Sequence, residues 1–181
     1  MAKVMAGMVM SLDGFIEDRE GSLARLYPDM DAMREANQAL IAATGAAVMG
    51  RRTYDMANGD FSGYELQVPI FVVTHRAPER AAKGENERLR FTFVTDGVES
   101  AIRQAKAAAG DTFVMIVGGA SINQQCLNAG LVDELQVDIR PVLLGGGLRL
   151  FEHLEVAGIE LGRISVVESP VSTDIRFRVV K

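Results

Sequence analysis

Apolar residues along the chain follow two different spacings. Short runs of β-branched and other apolar residues alternate with segments in which apolar residues recur every three or four positions. The first pattern is typical of β-strands and the second of amphipathic helices. We predict strands at 4–10, 46–49, 70–74, 91–94, 113–117, 134–142, 159–167 and 175–180.

Helical spacing predicts helices between the earlier strands. The first begins near residue 31, has an apolar face at positions 33, 36, 40 and 41, and ends at Gly45. A brief helix follows from about Arg52. Asp96 and Glu99 have the spacing of a capping box, which predicts a helix that ends at Gly110. The strands after residue 134 have no helices between them. This order predicts a mixed α/β sheet, parallel in its first part and antiparallel at its end.

The length and composition fit a single folded domain. The 181 residues are 48% hydrophobic and 24% charged, which excludes a disordered tail or a fibre. We therefore expect one domain spanning residues 1–181.

Charge and cysteine content narrow the function classes. The formal net charge of -5, with both signs interspersed, argues against a nucleic-acid partner. Cys126 is the sole cysteine, which excludes an internal disulfide and a thiolate zinc cluster, and we find no metal-ligand spacing. The apolar run at the N-terminus is broken at Ser11 and Asp13, and no segment approaches the ~18 apolar residues of a membrane span, so we expect neither a secretory leader nor a membrane-spanning segment. We expect a cytoplasmic protein with no membrane partner.

Two predicted strands end in glycine immediately before a helix. One junction is Met49-Gly50-Arg51-Arg52-Thr53 and the other is Val117-Gly118-Gly119-Ala120-Ser121. The N-terminus of a helix presents free N–H groups, and glycine lets a phosphate approach them closely. Two such junctions can hold a pyrophosphate from both sides. The alternative is that these glycines only form tight turns.

A third polar segment follows the strand at 70–74. Thr74, His75 and Arg76 lie at the carboxyl end of this strand, where open parallel sheets bind ligands. Together with Arg51 they are candidates for a further phosphate site. The alternative is a solvated loop.

Five motifs in order along the chain resemble the dihydrofolate reductase superfamily. Within it, the chain is most similar to the bacterial branch related to the C-terminal reductase domain of the bifunctional riboflavin-biosynthesis deaminase/reductase. The motifs are 11–14 (SLDG), 49–54 (MGRRTY), 118–121 (GGAS), 130–135 (GLVDEL) and 141–151, which contains three consecutive glycines.

The resemblance implies a three-layer dihydrofolate-reductase-like fold and an NADPH-dependent reductase, commonly a homodimer. It implies that the cofactor lies across the strand ends, with its 2′-phosphate near residues 74–76. The cofactor-binding residues that it implies are Ala6, Leu12, Asp13, Gly14, Gly50, Arg51, Arg52, Thr53, Thr74, His75, Arg76, Val117, Gly118, Gly119, Ala120, Ser121 and Ile122.

Reduction of a C=N or C=O bond also needs a proton donor. The family often has an acid on the helix after the first loop, and Asp31 and Glu35 are the candidates here. Their alternative roles are helix capping and a solvated face.

The substrate is left open. The chain has no tryptophan, and Phe15 stands where the riboflavin-pathway reductases commonly have lysine. The candidate substrate-binding residues Met10, Phe15, Met33 and Tyr54 favour an apolar or aromatic small molecule, or form part of the core.

The function predicted from the sequence is hydride transfer from NADPH to a small heterocyclic or carbonyl substrate. One alternative is a true dihydrofolate reductase or a reductase of a riboflavin-pathway intermediate. Another is a dimeric nucleotide-binding protein without catalysis, and a third is a purely structural protein.

Overall fold

The computed structural model describes residues 1–29, 37–80, 82–156 and 158–181. Within these residues ten strands occur in chain order: β1 (Val4–Ser11), β2 (Phe15–Glu17), β3 (Thr44–Gly50), β4 (Pro69–Val73), β5 (Arg90–Val94), β6 (Phe113–Ile116), β7 (Glu134–Arg140), β8 (Leu148–Arg149), β9 (Leu161–Glu168) and β10 (Thr173–Val179).

Eight of these strands form one central sheet in the order β5-β4-β3-β6-β1-β7-β10-β9. The pairs from β5 to β7 are parallel, whereas β10 runs antiparallel to both β7 and β9. The predicted mixed sheet is confirmed, with its antiparallel strands at the C-terminal end. The order reverses at β1, which lies between β6 and β7.

Four helices flank the sheet in the described residues: α1 (Gln38–Ala43), α2 (Arg51–Met56), α3 (Val98–Ala109) and α4 (Ala120–Asn128). Core residues of β3 alternate between two clusters. Ala46 and Val48 pack with α3 and α4, whereas Ala47 and Met49 pack with Tyr54 of α2 and Ile41 of α1. Successive residues of a strand face opposite sides. The helices therefore form one layer on each side of the sheet.

Two predicted helix boundaries are wrong. Gly45 does not end α1, because β3 already begins at Thr44. A Cβ on Gly45 would lie 1.9 Å from Thr112 Oγ1, so glycine is present here for close packing. The capping box is also wrong. Gly97, with a φ of 96°, is the N-cap of α3, and no side chain caps this helix.

Two short strands are absent from the sequence prediction. Phe15–Glu17 and Leu148–Arg149 pair as a separate two-stranded sheet. Segments of two and three residues are too short to show a periodicity. No helix in the described parts of the chain has the length and apolar character needed to cross a bilayer.

Candidate functional site

A gap opens at the carboxyl ends of the two central strands β1 and β6. These strands pair at Val4 and Met5, and the backbone N–H of Gly7 then donates to the Asn123 Oδ1 atom of α4 at 2.9 Å. From Met5 onward β1 follows β7 instead. Open α/β sheets bind ligands at such a reversal of strand order.

The two glycine-ended junctions meet beside this gap. The Gly50 N–H donates to the Gly118 carbonyl oxygen at 2.8 Å. A Cβ on Gly118, whose φ is 134°, would lie 2.9 Å from Thr53 Oγ1. The helices α2 and α4 therefore begin next to each other, as the sequence motifs indicated. No side chain caps α2 or α4.

Arg51 connects the first junction to the turn after β4. Its Nη1 atom donates to the Arg76 carbonyl oxygen at 2.7 Å, and its Nε atom donates to Asp55 Oδ1 at 2.8 Å. The Thr74 hydroxyl donates to the same carbonyl at 2.9 Å, while His75 and the Arg76 side chain are exposed. The structure thus brings Arg51 and the predicted 74–76 segment together.

Arg52 lies apart from this group. Its Nη2 atom contacts both carboxylate oxygens of Glu17 at 2.9 Å, which ties α2 to β2. Ala120 and Ile122 of α4 are buried, whereas Ser121 is exposed and its hydroxyl accepts from the Gln125 amide at 2.9 Å.

The loop after β1 is tied down by Asp13. Its carboxylate accepts from the Ser11 hydroxyl at 2.6 Å and from the N–H groups of Leu144 and Gly145 at 3.1 and 2.8 Å. The Ser11 bond is the largest cause that lowers the pKa of Asp13 from 3.8 to about 2, and the two N–H bonds add to it against burial. Asp13 is therefore an ionised anchor and not a proton donor. Of the other residues predicted to lie near the nicotinamide, Ala6 is buried in β1 and Leu12 is exposed.

We expect Asp13→Asn to lower the melting temperature at pH 7. A pKa that is depressed in the folded state contributes stability above 3.8, and this contribution is lost as the pH falls toward about 2. Thermal unfolding at a series of pH values should show the difference from wild type shrink over that range. Asp96→Asn, in another loop, is the control. A difference that is independent of pH would contradict the assigned role.

A cavity of about 290 Å³ opens where β1 and β6 separate. Its wall is largely apolar, formed by strand residues, α1 and the loop near residue 65. The described lining residues are Met5, Ala6, Gly7, Met8, Val9, Tyr27, Asn37, Leu40, Ile41, Tyr64, Glu65, Leu66, Met115, Ile116, Val117, Gln136, Asp138 and Asp174. This volume and lining suit a small, largely apolar ligand.

One wall of the cavity is polar. Gln136 and Asp138 of β7 lie beside Asp174 of β10, and the Gln136 amide donates to Asp174 Oδ2 at 2.7 Å. Burial raises the pKa of Asp174, although the Gln136 bond opposes that shift. Burial also raises the pKa of Tyr27 to about 12. Sequence reasoning missed this wall; its signal was the pair of polar residues at alternate positions within an interior strand.

Three of the four predicted substrate-binding residues, Met10, Phe15 and Tyr54, do not line this cavity. Tyr54 is buried among aromatic rings, with centroids 5.3 Å from Phe61 and 5.2 Å from Phe93. Phe15 lies under the Arg149 guanidinium, at 4.3 Å. Met10 packs against the core on the α3 and α4 side.

Asp31, Met33 and Glu35 lie outside the described residues. Cys126 is buried in the core, and burial raises the pKa of its thiol to about 12. In the parts of the chain that the structure describes, no group of three or more acidic, histidine or cysteine side chains is arranged to hold a metal.

Known proteins share this architecture. The Riboflavin biosynthesis protein RibD of Corynebacterium ammoniagenes is 29% identical over 84% of this chain, which spans 44% of that protein. A candidate riboflavin biosynthesis protein of Shewanella sp. PV-4 has a TM-score of 0.81 and 26% identity, with 100% of both chains covered.

A dihydrofolate reductase has a similar fold. Dihydrofolate reductase from Enterococcus faecalis, solved in complex with NADP(H), has a TM-score of 0.63 at 15% identity and covers 99% of this chain and 97% of its own. The family model described as RibD C-terminal domain matches residues 2–171. With its dihydrofolate-reductase-like fold, the chain belongs to the RibD C-terminal domain family.

Proposed function

We propose that this protein is an NADPH-dependent reductase that transfers a hydride to a small heterocyclic or carbonyl substrate. The observation that carries the proposal is the meeting of two uncapped strand-to-helix junctions beside the gap between β1 and β6, which opens into the cavity. Membership in a family of reductase domains supports a reductase role. NADPH, when bound, supplies the hydride.

The side chains around the first junction fit a phosphorylated cofactor. Arg51 and Arg76 offer guanidinium groups, and Thr74 offers a hydroxyl, within one turn at the strand ends. Guanidinium groups form strong charge-assisted bonds to phosphate. We assign the 2′-phosphate to this group, which gives a preference for NADPH over NADH.

We assign pyrophosphate binding to the backbone of the two strand-to-helix junctions. α4 begins at Ala120 without a side-chain cap, and the N–H groups at such a helix N-terminus can bind a phosphate. Ala6 and the loop at 12–14 would orient the nicotinamide. The remaining proposed cofactor residues are Gly50, Arg52, Thr53, His75, Val117, Gly118, Gly119, Ala120, Ser121 and Ile122.

Catalysis would rest mostly on orientation. The cavity would hold the substrate against β1, and its largely apolar wall would exclude water from the site of hydride transfer. A proton donor must complete the reduction, for which Asp31 and Glu35 are the candidates drawn from the family resemblance.

The whole chain is proposed to act as one cytoplasmic domain that forms a homodimer, with a small molecule and neither nucleic acid nor membrane as its partner. The edge strand β9 supports self-association, because its apolar residues Ile164, Val166 and Val167 are exposed. Exposed apolar patches of this kind often mark interfaces.

Calorimetric titration with NADPH and, in parallel, NADH tests the proposal. We expect micromolar binding of NADPH and much weaker binding of NADH, followed by turnover in a substrate screen that begins with dihydrofolate. NADPH binding without oxidation by any acceptor would favour a nucleotide-binding protein. Failure to bind either cofactor would refute the reductase function.

A further inference from the structure

Two carboxyl groups lie side by side in the polar wall of the cavity. Asp138 of β7 and Asp174 of β10 are direct partners in the antiparallel register, so their side chains project from the same face of the sheet. Both line the cavity. Gln136, two residues earlier on β7, holds Asp174 Oδ2 at 2.7 Å. The pair is therefore fixed in place by strands and not by a loop.

Asp138 lies near the cationic side chain of Arg140, but one of its carboxylate oxygens has no hydrogen bond. Its Oδ1 atom lies 4.0 Å from Arg140 Nε, and the Arg140 side chain is only 6% exposed. Both atoms are buried without a hydrogen-bond partner in the described parts of the chain. Buried polar groups normally have partners, so an unsatisfied oxygen beside a cavity indicates a site that a bound group completes.

Asp174 is in the opposite situation. Burial is the largest cause that raises its pKa, and the negative charge of Asp138 raises it further, against the Gln136 bond and the Arg176 charge. Arg176 itself is engaged, since its Nε atom donates to Glu134 Oε2 at 2.7 Å. Among the described residues, the other charged or titratable groups facing this region are Arg140 of β7 and, across the cavity, Tyr27, Tyr64 and Glu65. On β9, Val167 lies opposite Asp174.

We propose that Asp174, fixed in the cavity wall between Asp138 and Gln136, is the proton donor of the reduction. This assignment rests on the proposed function and replaces Asp31 and Glu35 as the acid. In many active sites, the environments of two neighbouring carboxyl groups push their pKa values apart, and only one of the two then acts as the acid.

Reduction of a C=O or C=N substrate forms one C–H bond and one O–H or N–H bond. Hydride from the nicotinamide forms a bond to the carbon, and the π electron pair moves onto the oxygen or nitrogen. That atom takes the proton from the Asp174 carboxyl group, whose O–H bond breaks and leaves a carboxylate. NADPH, when bound, would supply the two electrons as hydride, and water would return the proton to Asp174 through the open side of the cavity.

The first test needs neither cofactor nor substrate. The side-chain carboxyl carbons of wild type, Asp174→Asn, Asp138→Asn and the control Glu168→Gln are followed by carbon-13 NMR against pH. We expect one aspartate signal to titrate above the ordinary range, to be missing in Asp174→Asn, and to shift toward the ordinary range in Asp138→Asn. Glu168, exposed on β9, should leave it unchanged. Ordinary titration of Asp174, or no response to Asp138→Asn, would overturn the proposal.

The second test separates this proposal from the proposed function. With dihydrofolate as the acceptor probe, Asp174→Asn should lower the rate of NADPH oxidation by about 10²- to 10⁴-fold while calorimetric NADPH affinity stays at the wild-type value. Asp31→Asn and Glu35→Gln should each lower the rate less than Asp174→Asn does. A large loss of rate in either of these two variants, with Asp174→Asn still active, would show that the residue changed in that variant is the proton donor. Absence of NADPH binding in wild type would refute the reductase function instead, whatever the titration shows.

Discussion

Gly7→Ala is expected to destabilise the protein by roughly 2–6 kcal/mol, combining backbone strain with overpacking. Gly7 has a φ of 130°, and a Cβ there would lie 1.6 Å from the Gln136 carbonyl oxygen. The obstacle is backbone, so relief requires β1 and β7 to move apart. Chemical denaturation, with the midpoint and slope compared to wild type, measures the loss.

Gly63→Ala is the matched control for this change. Gly63 also has a positive φ, of 77°, yet a Cβ there would meet nothing within 4 Å. Only the left-handed backbone is then penalised, which costs about 1–2 kcal/mol. If both variants lost a similar free energy of unfolding, the added Cβ at position 7 would not be destabilising through its contact with the Gln136 backbone. A Gly7→Ala protein that folds should also have an altered cavity, since Gly7 lines it.

Arg51→Ala is expected to weaken NADPH binding by about 1.5–3 kcal/mol, which is about 10- to 150-fold. The guanidinium is held beside the 74–76 turn by the Arg76 carbonyl and by Asp55, so it is already oriented for an incoming phosphate. NADH lacks the 2′-phosphate, and its affinity should change little. Calorimetric titration of both cofactors gives the two ratios.

Arg88→Ala, an exposed arginine in the loop before β5, controls for the loss of one positive charge. It should leave both affinities near wild type, because it has no place in the proposed phosphate group. Equal losses of NADPH and NADH binding in Arg51→Ala would remove Arg51 from the 2′-phosphate site.

Local sequence predicted the large elements of this fold well. The runs at 4–10, 46–49 and 113–117 are apolar enough that burial on both faces of a parallel sheet is their only good solution. The two glycine-ended junctions were visible for the same reason, since a strand that ends in glycine before a helix is a local pattern. Strand alternation with helices, and then its absence, predicted the mixed sheet.

Boundaries depended on contacts that the local pattern does not contain. Gly45 looked like a helix end, but it lies in β3, where the flanking Thr44 pairs with Phe113 of β6. A Cβ on Gly45 would lie 1.9 Å from Thr112 Oγ1, a residue distant in sequence. The short strands β2 and β8 exist only because residues 15–17 and 148–149 find each other across the chain.

The sequence by itself determined the fold class, the family and the residues at the two junctions, because each of these rests on neighbours along the chain. Tertiary structure alone decided the cavity and its polar wall. Asp138 and Asp174 become partners only when β10 pairs with β7, and Tyr54 leaves the candidate site only when its ring joins Phe61 and Phe93. Proximity between residues far apart in sequence is set by strand order and packing, so no local pattern could reveal it.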